Sequence, residues 1–204
     1  MKKFYAFGGA AILACSSTFA QTENFTGLSS TLVLKRSDIS YYADILGSAS
    51  YSADIQASYG IALSKDVILN FGASFGMGSS KIANAPISEI FNYSSKLKNA
   101  ASIYIEPGFL ISNQTLIYSK ISHETGKFLT SATTPIETIT SSSTLQGLGL
   151  GVGVKTMINN KMFVQFEIKK VNYSTKNTMD DAFLSEIGNR YNATSGSVGI
   201  GYKF

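Results

Sequence analysis

Two neighbouring stretches of this chain alternate between apolar residues and small or polar ones, with Ile68 as the exception. The first is YSADIQASYGIAL at residues 51–63, and the second is VILNFGASFGM at residues 67–77. Alternation with a period of two is typical of a β-strand whose two faces meet different surroundings. Only a short turn around Lys65-Asp66 separates the two stretches, so the sequence predicts a β-hairpin here.

The same alternation recurs along the chain and predicts eight strands of about 10 to 15 residues, which is enough for a tilted strand to cross a bilayer. Short turns join the second strand to the third, the fourth to the fifth and the sixth to the seventh. The predicted strands are residues 24–35, 51–63, 67–77, 99–111, 115–124, 145–157, 162–173 and 190–204.

The connections between these strands alternate between long and short. Transmembrane β-barrels have tight turns on the periplasmic side, extended loops on the outside and, in bacterial single-chain barrels, an even strand count. Residues 21–204 are therefore predicted to form an eight-stranded antiparallel transmembrane β-barrel with short periplasmic turns and both termini in the periplasm. The four expected long extracellular loops are residues 36–49, 78–98, 125–142 and 174–189.

The last predicted strand ends in SGSVGIGYKF, with a large apolar residue at every second position. A soluble domain has little reason to end in this way, because terminal residues usually fray. The stretch resembles the terminal assembly signal of bacterial outer-membrane barrels, which implies recognition by the barrel-assembly machinery. Taken alone, it also fits the half-buried last strand of a soluble β-sandwich. The residues of the expected signal are Val198, Ile200, Tyr202 and Phe204.

The first twenty residues have the features of a secretory signal peptide. Lys2 and Lys3 precede an apolar run at residues 4–15, and Thr18 with Ala20 forms a small-residue cleavage pattern. The apolar run is too short to span a bilayer as a helix, which takes about 20 residues. We therefore expect a signal peptide at residues 1–20 and a mature chain at residues 21–204.

Cys15 is the only cysteine in the chain. The residues before it loosely resemble a lipoprotein cleavage box, so lipidation at Cys15 is an alternative, although Leu13 fits that box poorly. If cleavage follows Ala20, the exported chain has no cysteine and forms no disulfide. The formal net charge of +4 then falls to +2 with the loss of Lys2 and Lys3. This small charge predicts no nucleic-acid partner.

Over the whole mature chain, the sequence resembles the small eight-stranded outer-membrane barrels of the OmpA-like and OmpX-like porin family. The GxGxE pattern of that family's sixth strand corresponds here to Gly151, Gly153 and Lys155, and the EYRY of its seventh strand corresponds to EIKK at residues 167–170. Lys155 is opposite in charge to the family's acid, so the family's interior pairing does not carry over unchanged. The resemblance implies a bacterial outer-membrane location, with outer-membrane lipid and lipopolysaccharide as partners.

Charged residues fall on the face of the predicted strands that points into the barrel. Eight strands enclose an interior that side chains just fill, so these charges must pair or keep water. We expect Glu106 to lie near Lys120 and Glu167 near Lys155, each pair across a hairpin. A packed polar plug is the main interpretation, and a narrow ion path gated by a switching pair is the alternative. The expected interior polar cluster is Asp54, Glu106, Lys120, Lys155, Glu167, Lys169 and Lys203.

The sixth predicted strand, LQGLGLGVGVKTM, has glycine at every second position on its inward face, at residues 147–153. Glycine weakens a strand, so its regular use here predicts either an interior without room for side chains or a sharp bend of the sheet.

Residues near the ends of the predicted strands have expected roles at the membrane surface. Two segments, ISEIFNYSSKL from Ile87 and DDAFLSEIG from Asp180, have helical spacing and predict short helices over the barrel rim. Aromatic residues are expected to form two girdles at the lipid headgroup levels. The periplasmic girdle is Phe109, Phe163, Tyr202 and Phe204, and the outer girdle is Tyr51, Phe75 and Tyr173.

His123 is the only histidine in the chain. With Thr125 and an acid it resembles the histidine, hydroxyl and carboxylate arrangement of outer-membrane deacylases, in which a serine follows the histidine by two. Here that residue is threonine, and spacing fixes no acid nearby, so we interpret His123 as a rim residue at a strand–loop junction. The sequence has no metal-ligand spacing, phosphate-binding loop or nucleophile motif. We therefore expect no catalytic residue, no metal and no cofactor.

These patterns predict an integral outer-membrane protein with a structural or surface role and without enzymatic activity. One alternative is an adhesin, or a host- or ligand-binding surface protein, that acts through the extracellular loops. A narrow pore is a second alternative, and a lipid A-modifying enzyme is a less favoured third. The loops are rich in Ser, Thr and Asn, which offer hydrogen bonds but no cluster of binding hot spots.

Overall fold

The computed structural model of the protein describes residues 22–41, 46–88, 91–133, 136–175 and 190–204. Within these ranges, no helix is both long enough and apolar enough to span a bilayer. A short 3-10 helical turn at Thr22–Phe25 precedes the strands. The strands are β1 (Gly27–Tyr41), β2 (Leu46–Ala62), β3 (Val67–Met77), β4 (Ser79–Ser88), β5 (Phe91–Ser112), β6 (Thr115–Thr133), β7 (Thr138–Met157), β8 (Met162–Thr175) and β9 (Arg190–Lys203).

Eight of these strands form a closed antiparallel ring. β1 pairs with β2 on one side and with β9 on the other, and the ring then continues through β8, β7, β6 and β5. β3 completes the ring because it pairs with both β2 and β5. The predicted eight-stranded antiparallel barrel is confirmed.

The additional strand, β4, continues β3 beyond a break at Gly78. β5 pairs with β3 through residues 101–109 and with β4 through residues 91–98, so β3 and β4 share one position in the ring. The φ angle of Gly78 is 102°, a left-handed conformation that glycine adopts without steric cost. The break therefore divides one strand in two and leaves the barrel with eight positions.

The strands are longer than predicted, and most of the expected long loops are β-structure. β1 and β2 extend into residues 36–49, β4 and the start of β5 fill most of 78–98, and β6 and β7 extend into 125–142. β5 has 22 residues and β7 has 20, about twice the length that a tilted strand needs to cross a bilayer. Three hairpins therefore project beyond the membrane-spanning part of the barrel.

The helix predicted from Ile87 is wrong, because its described residues belong to β4 and β5. Backbone pairing with a neighbouring strand overrides a weak helical spacing of apolar residues here. The helix predicted from Asp180 lies outside the described residues.

The three short turns lie together at one end of the barrel, which we call the turn end. Asn24, in the 3-10 turn, donates a side-chain hydrogen bond to the carbonyl oxygen of Asn113 at 2.7 Å. The amide of Phe204 donates to the carbonyl oxygen of Leu28 at 3.0 Å. Both ends of the described chain are thus fixed at the turn end, which faces the periplasm in barrels of this kind. We call the opposite end the hairpin end.

Large apolar side chains cover the outer wall of the barrel. Leu150, for example, is 63 % exposed, and Ile103 is 65 % exposed. A monomer in water rarely exposes so large a continuous apolar surface, whereas a wall that contacts lipid requires one. The apolar side chains on β6, β7, β8 and β9 include Ile117, Ile121, Leu148, Leu150, Val152, Phe166, Ile168, Val198 and Ile200.

Two of the aromatic residues expected in the girdles point into the barrel. Phe163 and Tyr173 are 4 % and 7 % exposed, because they share the inward face of β8 with Gln165 and Glu167. The prediction that they lie in the girdles was wrong, because alternation along β8 turns both side chains inward although they lie near the ends of the strand. The remaining expected girdle residues are exposed on the outer wall: Tyr51, Phe75, Phe109, Tyr202 and Phe204.

Several glycines leave room for aromatic rings inside the barrel. A methyl group at Gly201 would overlap the Phe163 ring, and one at Gly153 would overlap the Tyr118 ring. The interior is therefore too full for additional side chains at these positions, one of the two explanations that the glycine pattern allowed. An aromatic ring over a glycine of the neighbouring strand is a known way of holding strand register.

Replacing Gly153 by alanine tests this packing. The new methyl group would collide with Tyr118 and lie 2.5 Å from the carbonyl oxygen of Phe166, so we expect the free energy of unfolding to fall by about 1–3 kcal/mol. The matched control is Gly196→Ala, because no atom lies within 4 Å of the added methyl group there. Urea unfolding in lipid vesicles, followed by circular dichroism, measures both variants. Equal stabilities would contradict the packing described here.

Candidate functional site

The barrel interior changes from apolar to charged and back to apolar along its axis. From the turn end, the inward face of β8 reads Phe163, Gln165, Glu167, Lys169, Val171 and Tyr173, all buried. The charged middle of the barrel is the candidate site, because buried ionisable groups are commoner at functional positions than elsewhere.

Four charged side chains meet at the centre, and we call them the central charge cluster: Glu106, Lys120, Lys155 and Glu167. The Nζ of Lys120 lies 3.0 Å from the Oε1 of Glu106 and also pairs with the Oε2 of Glu167. The Nζ of Lys155 donates to the Oε2 of Glu106 at 2.5 Å. Two cations therefore balance two anions, which is what burial of charges requires.

Two tyrosines complete the surroundings of this cluster. The hydroxyl of Tyr118 donates to the Oε2 of Glu167 at 3.0 Å. The Nζ of Lys120 lies 4.4 Å from the ring centre of Tyr104, and the Nζ of Lys155 lies 4.8 Å from that of Tyr118. Both distances allow cation–π attraction, which is stronger away from water. The tyrosines thus replace part of the hydration that the ammonium groups lose on burial.

Two further ion pairs lie between the cluster and the hairpin end. The Nζ of Lys35 donates to the Oδ2 of Asp54, and that of Lys169 donates to the Oε1 of Glu124, both at 2.7 Å. Ser122 donates to the same oxygen of Glu124 at 2.8 Å. The cavity beside these pairs has a volume of about 30 Å³, which leaves room for only a few water molecules.

The glycines of β7 allow some of these pairs to reach across an intervening strand. Lys120 lies opposite Gly151 in the register of β6 and β7, and Glu167 lies opposite Gly153 in that of β7 and β8. Because these glycines have no side chain, Lys120 on β6 reaches Glu167 on β8 over the surface of β7. Glu124 on β6 and Lys169 on β8 pair over the same strand.

Apolar side chains lie in the interior on either side of the charged middle. The turn-end plug is Phe25, Ile68, Leu110, Leu116, Met157 and Phe163. The hairpin-end plug is Leu97, Phe128, Leu145, Val171, Tyr173 and Ala193. The second plug is contributed by β5 to β9, whereas buried Ser37 and Ser50 lie on the β1 and β2 side.

Most of the charged residues expected inside the barrel are placed there. Lys203 is the exception, because it is only partly buried and its Nζ donates to the backbone carbonyl oxygen of Glu23 at the turn end. The buried residues of the predicted set are Asp54, Glu106, Lys120, Lys155, Glu167 and Lys169.

The expected pairing across the hairpins holds for one pair only. Glu106 and Lys120 are in contact, but the pairing of Glu167 with Lys155 was wrong: Lys155 pairs with Glu106, and Glu167 pairs with Lys120. Side chains in a narrow barrel point towards its axis and meet partners on strands that are not adjacent. The sequence identifies such residues but not their partners.

Two interior charges, Lys35 and Glu124, are missing from the predicted set. Both continue the inward alternation of their strands, Lys35 after Thr31 and Val33, and Glu124 after Lys120 and Ser122. Both are the last residues of their predicted strands, and the alternation of the residues before them already indicates an inward face.

His123 lies on the outer wall, in the middle of β6 rather than at a strand–loop junction. It is exposed between Ile103 of β5 and Leu148 of β7. The rim assignment was wrong because β6 continues to Thr133. The neighbouring acid in the sequence, Glu124, points inward and pairs with Lys169. In the described part of the chain, no three His, Cys, Asp or Glu side chains group as metal ligands would.

Residues 7–204 match the family described as outer membrane protein beta-barrel domain. The chain belongs to this family. It is therefore an integral β-barrel protein of the bacterial outer membrane, and its apolar outer wall contacts membrane lipid. The predicted family relationship and location are confirmed.

Solved structures of two outer-membrane proteins are similar in fold. Ail, the attachment invasion locus protein of Yersinia pestis, is 16 % identical with a TM-score of 0.55, and the match covers 88 % of this chain and 99 % of Ail. Neisserial surface protein A is 17 % identical with a TM-score of 0.53, with 88 % and 98 % covered. A further structure shows Ail in complex with the heparin analogue sucrose octasulfate (TM-score 0.52, 16 % identity, 88 % and 99 % covered). No curated protein sequence matches the chain significantly.

Replacing Glu106 by glutamine tests the charge balance of the central charge cluster. The variant leaves two buried lysines with one acid, so we expect the free energy of unfolding to fall by about 3–5 kcal/mol. The double variant Glu106→Gln/Lys155→Gln restores the balance of charge. Its loss in free energy of unfolding should be smaller than the sum of the losses in the two single variants.

Asp38→Asn serves as the control, because Asp38 and Arg36 form an exposed pair 3.6 Å apart. We expect that variant to lose less than about 1 kcal/mol. Urea unfolding in lipid vesicles provides all the values. Strict additivity of the two substitutions in the cluster would contradict the network.

Proposed function

We propose that this protein is a non-catalytic, non-conducting surface protein whose barrel fixes three projecting hairpins at the cell surface. The observation that carries the proposal is the burial of the barrel centre. Glu106 is 0 % exposed and Lys120 is 2 % exposed. A water-filled channel would leave the side chains that line it accessible to solvent, whereas these are enclosed by one another.

The balance of charge supports the same conclusion. An ion that crossed the barrel would have to separate Lys120 and Lys155 from Glu106, and breaking a buried pair costs several kcal/mol. It would also have to pass the turn-end plug, whose six apolar side chains are buried in the interior near the periplasm. A barrel of eight strands has little space left once its interior is filled in this way.

The hairpins are the surfaces most available to other molecules. The hairpin of β6 and β7 is rich in serine and threonine, and residues 136–142 are exposed along it. Adhesion or ligand binding through these hairpins is our second candidate function. The complex of Ail with a heparin analogue favours it, because it is an example of a barrel of similar fold that binds a polyanionic sugar.

The membrane partners of the chain belong to the same proposal. We propose that residues 1–20 direct export and are removed, and that lipopolysaccharide surrounds the barrel in the outer leaflet. The residues of the proposed assembly signal are exposed on the outer wall, along β9 and directly after it: Val198, Ile200, Tyr202 and Phe204. That position supports recognition by the barrel-assembly machinery before the strand meets lipid.

Planar-bilayer recording tests the absence of a channel. The refolded full chain should give no unitary conductance steps, whereas a general porin reconstituted in the same way provides the positive control. We also expect no conductance steps from the variant Phe128→Ala, because the central charge cluster and the turn-end plug still close the barrel. Reproducible conductance steps from the native chain would overturn the proposal.

The proposed lack of enzymatic activity is tested at His123. Its side chain faces lipid, and no acid of the described residues is aligned with it, so we expect His123→Ala to leave the lipid A species of the outer membrane unchanged. Mass spectrometry of lipid A from cells with the native chain, the variant and no chain makes the comparison. A lipid A species that requires both the chain and His123 would establish an enzyme instead.

A further inference from the structure

A β-bulge in β5 reverses the direction of its side chains near the hairpin end. The pairing of β5 with β6 shifts between Lys98 and Ala101, and Asn99 has a φ angle of 51°. Asparagine tolerates this left-handed conformation better than most residues. A bulge places two residues opposite one and so changes which face the following side chains occupy.

The bulge turns two lysines outward. Ile103 and Ile105 face outward on the turn-end side of the bulge, and Lys98 and Lys96 do so on its hairpin-end side, while Leu97 joins the hairpin-end plug. With unbroken alternation, the two lysines would have pointed into the barrel. The bulge therefore allows an apolar side chain to point into the barrel and two lysines to point outward.

Two more lysines stand beside them on the neighbouring strands. Lys81 of β4 lies opposite Lys96 in the register of β4 and β5, and Lys127 of β6 lies opposite Lys98 in that of β5 and β6. All four side chains are exposed. We call Lys81, Lys96, Lys98 and Lys127 the lysine patch.

Like charges directly opposite each other destabilise a pair of strands, and the patch contains two such pairs. None of its lysines forms an ion pair with an acidic residue in the described part of the chain. Elsewhere on the outer wall near the hairpin end, Arg36 is accompanied by Asp38. The arrangement in the lysine patch is therefore suited to an external ligand with several negative charges.

The patch begins where the apolar wall ends. On β5 the outward residues are apolar from Ile111 to Ala101, ten residues apart, or about 33 Å along a strand. At the usual tilt this corresponds to about 25 Å along the membrane normal, the height of the apolar band in such barrels. Lys98 and Lys96 follow immediately, so they lie at the headgroup level of the outer leaflet.

We propose that the lysine patch binds the phosphate groups of a phosphorylated glycolipid in the outer leaflet. The proposal deepens the function proposed above, since it rests on an outer-membrane barrel with its hairpin end outside. Basic side chains at a membrane surface attract anionic headgroups. The patch lies on the side of the barrel, at the height of such headgroups, and a lipid whose chains contact Ile103 and Ile105 places its phosphates beside Lys98.

Native mass spectrometry of the refolded full chain tests the proposal with bisphosphorylated lipid A and with the same lipid A after phosphatase treatment. We expect the native chain to bind the bisphosphorylated form at least about tenfold more tightly. Each lysine near an anionic surface contributes about fivefold in binding, so Lys96→Ala/Lys127→Ala should bind about 25-fold more weakly. Lys96→Arg/Lys127→Arg should retain binding.

The matched control is Lys161→Ala/Lys170→Ala, which removes two exposed lysines outside the patch and should bind like the native chain. An unchanged shift in gel migration on heating shows that each variant folds. Equal binding of the two lipids, or an equal loss in the control, would overturn the proposal. The proposal would also be overturned if the patch variants lost binding of sucrose octasulfate but kept binding of lipid A. The ligand would then be a soluble polyanion. Planar-bilayer conductance does not depend on lipid A binding. A failure of the lysine-patch proposal is therefore distinguishable from a failure of the proposed function.

Discussion

The backbone pairing that closes the sheet is the constraint on which the rest of this structure depends. β1 pairs with β9, and β3 pairs with β5, so the ring has no free edge at these strands. In hydrocarbon every backbone amide and carbonyl must find a partner within the protein, and a closed ring provides it. Once the ring is closed, alternation gives each strand one face towards lipid and one towards a narrow interior.

That interior explains the choice of side chains. Six apolar side chains occupy the turn end, and balanced charges with two tyrosines occupy the centre. The glycines of β7 are part of the same design, since Lys120 meets Glu167 only because Gly151 and Gly153 leave the space between them. The result is a filled barrel, which supports the proposal that it positions hairpins and lipid-facing side chains rather than providing a path through the membrane.

The sequence is sufficient to predict the barrel, but not its projecting hairpins, its bulge or its ion pairs. Alternation and short turns predict the eight ring positions, because both follow from one strand and its immediate neighbours. The projecting hairpins escape detection because they carry polar residues on both faces, so no alternation shows there. The bulge at Asn99 and the pairing of Lys155 with Glu106 depend on register and on closure of the ring. These are properties of the whole barrel, and no local pattern reports them.

The central claim is that the exposed apolar wall contacts hydrocarbon, and Val152→Arg tests it most directly. Val152 lies on the outer wall of β7 opposite apolar Ile168 of β8, whereas exposed Ser142 lies on the projecting part of the same strand. In lipid vesicles we expect Val152→Arg to lower the free energy of unfolding by about 2–4 kcal/mol, as an arginine near the bilayer midplane does. Ser142→Arg should change it little. If both substitutions leave the stability unchanged, as at a surface in water, the account of this protein as a membrane barrel is contradicted.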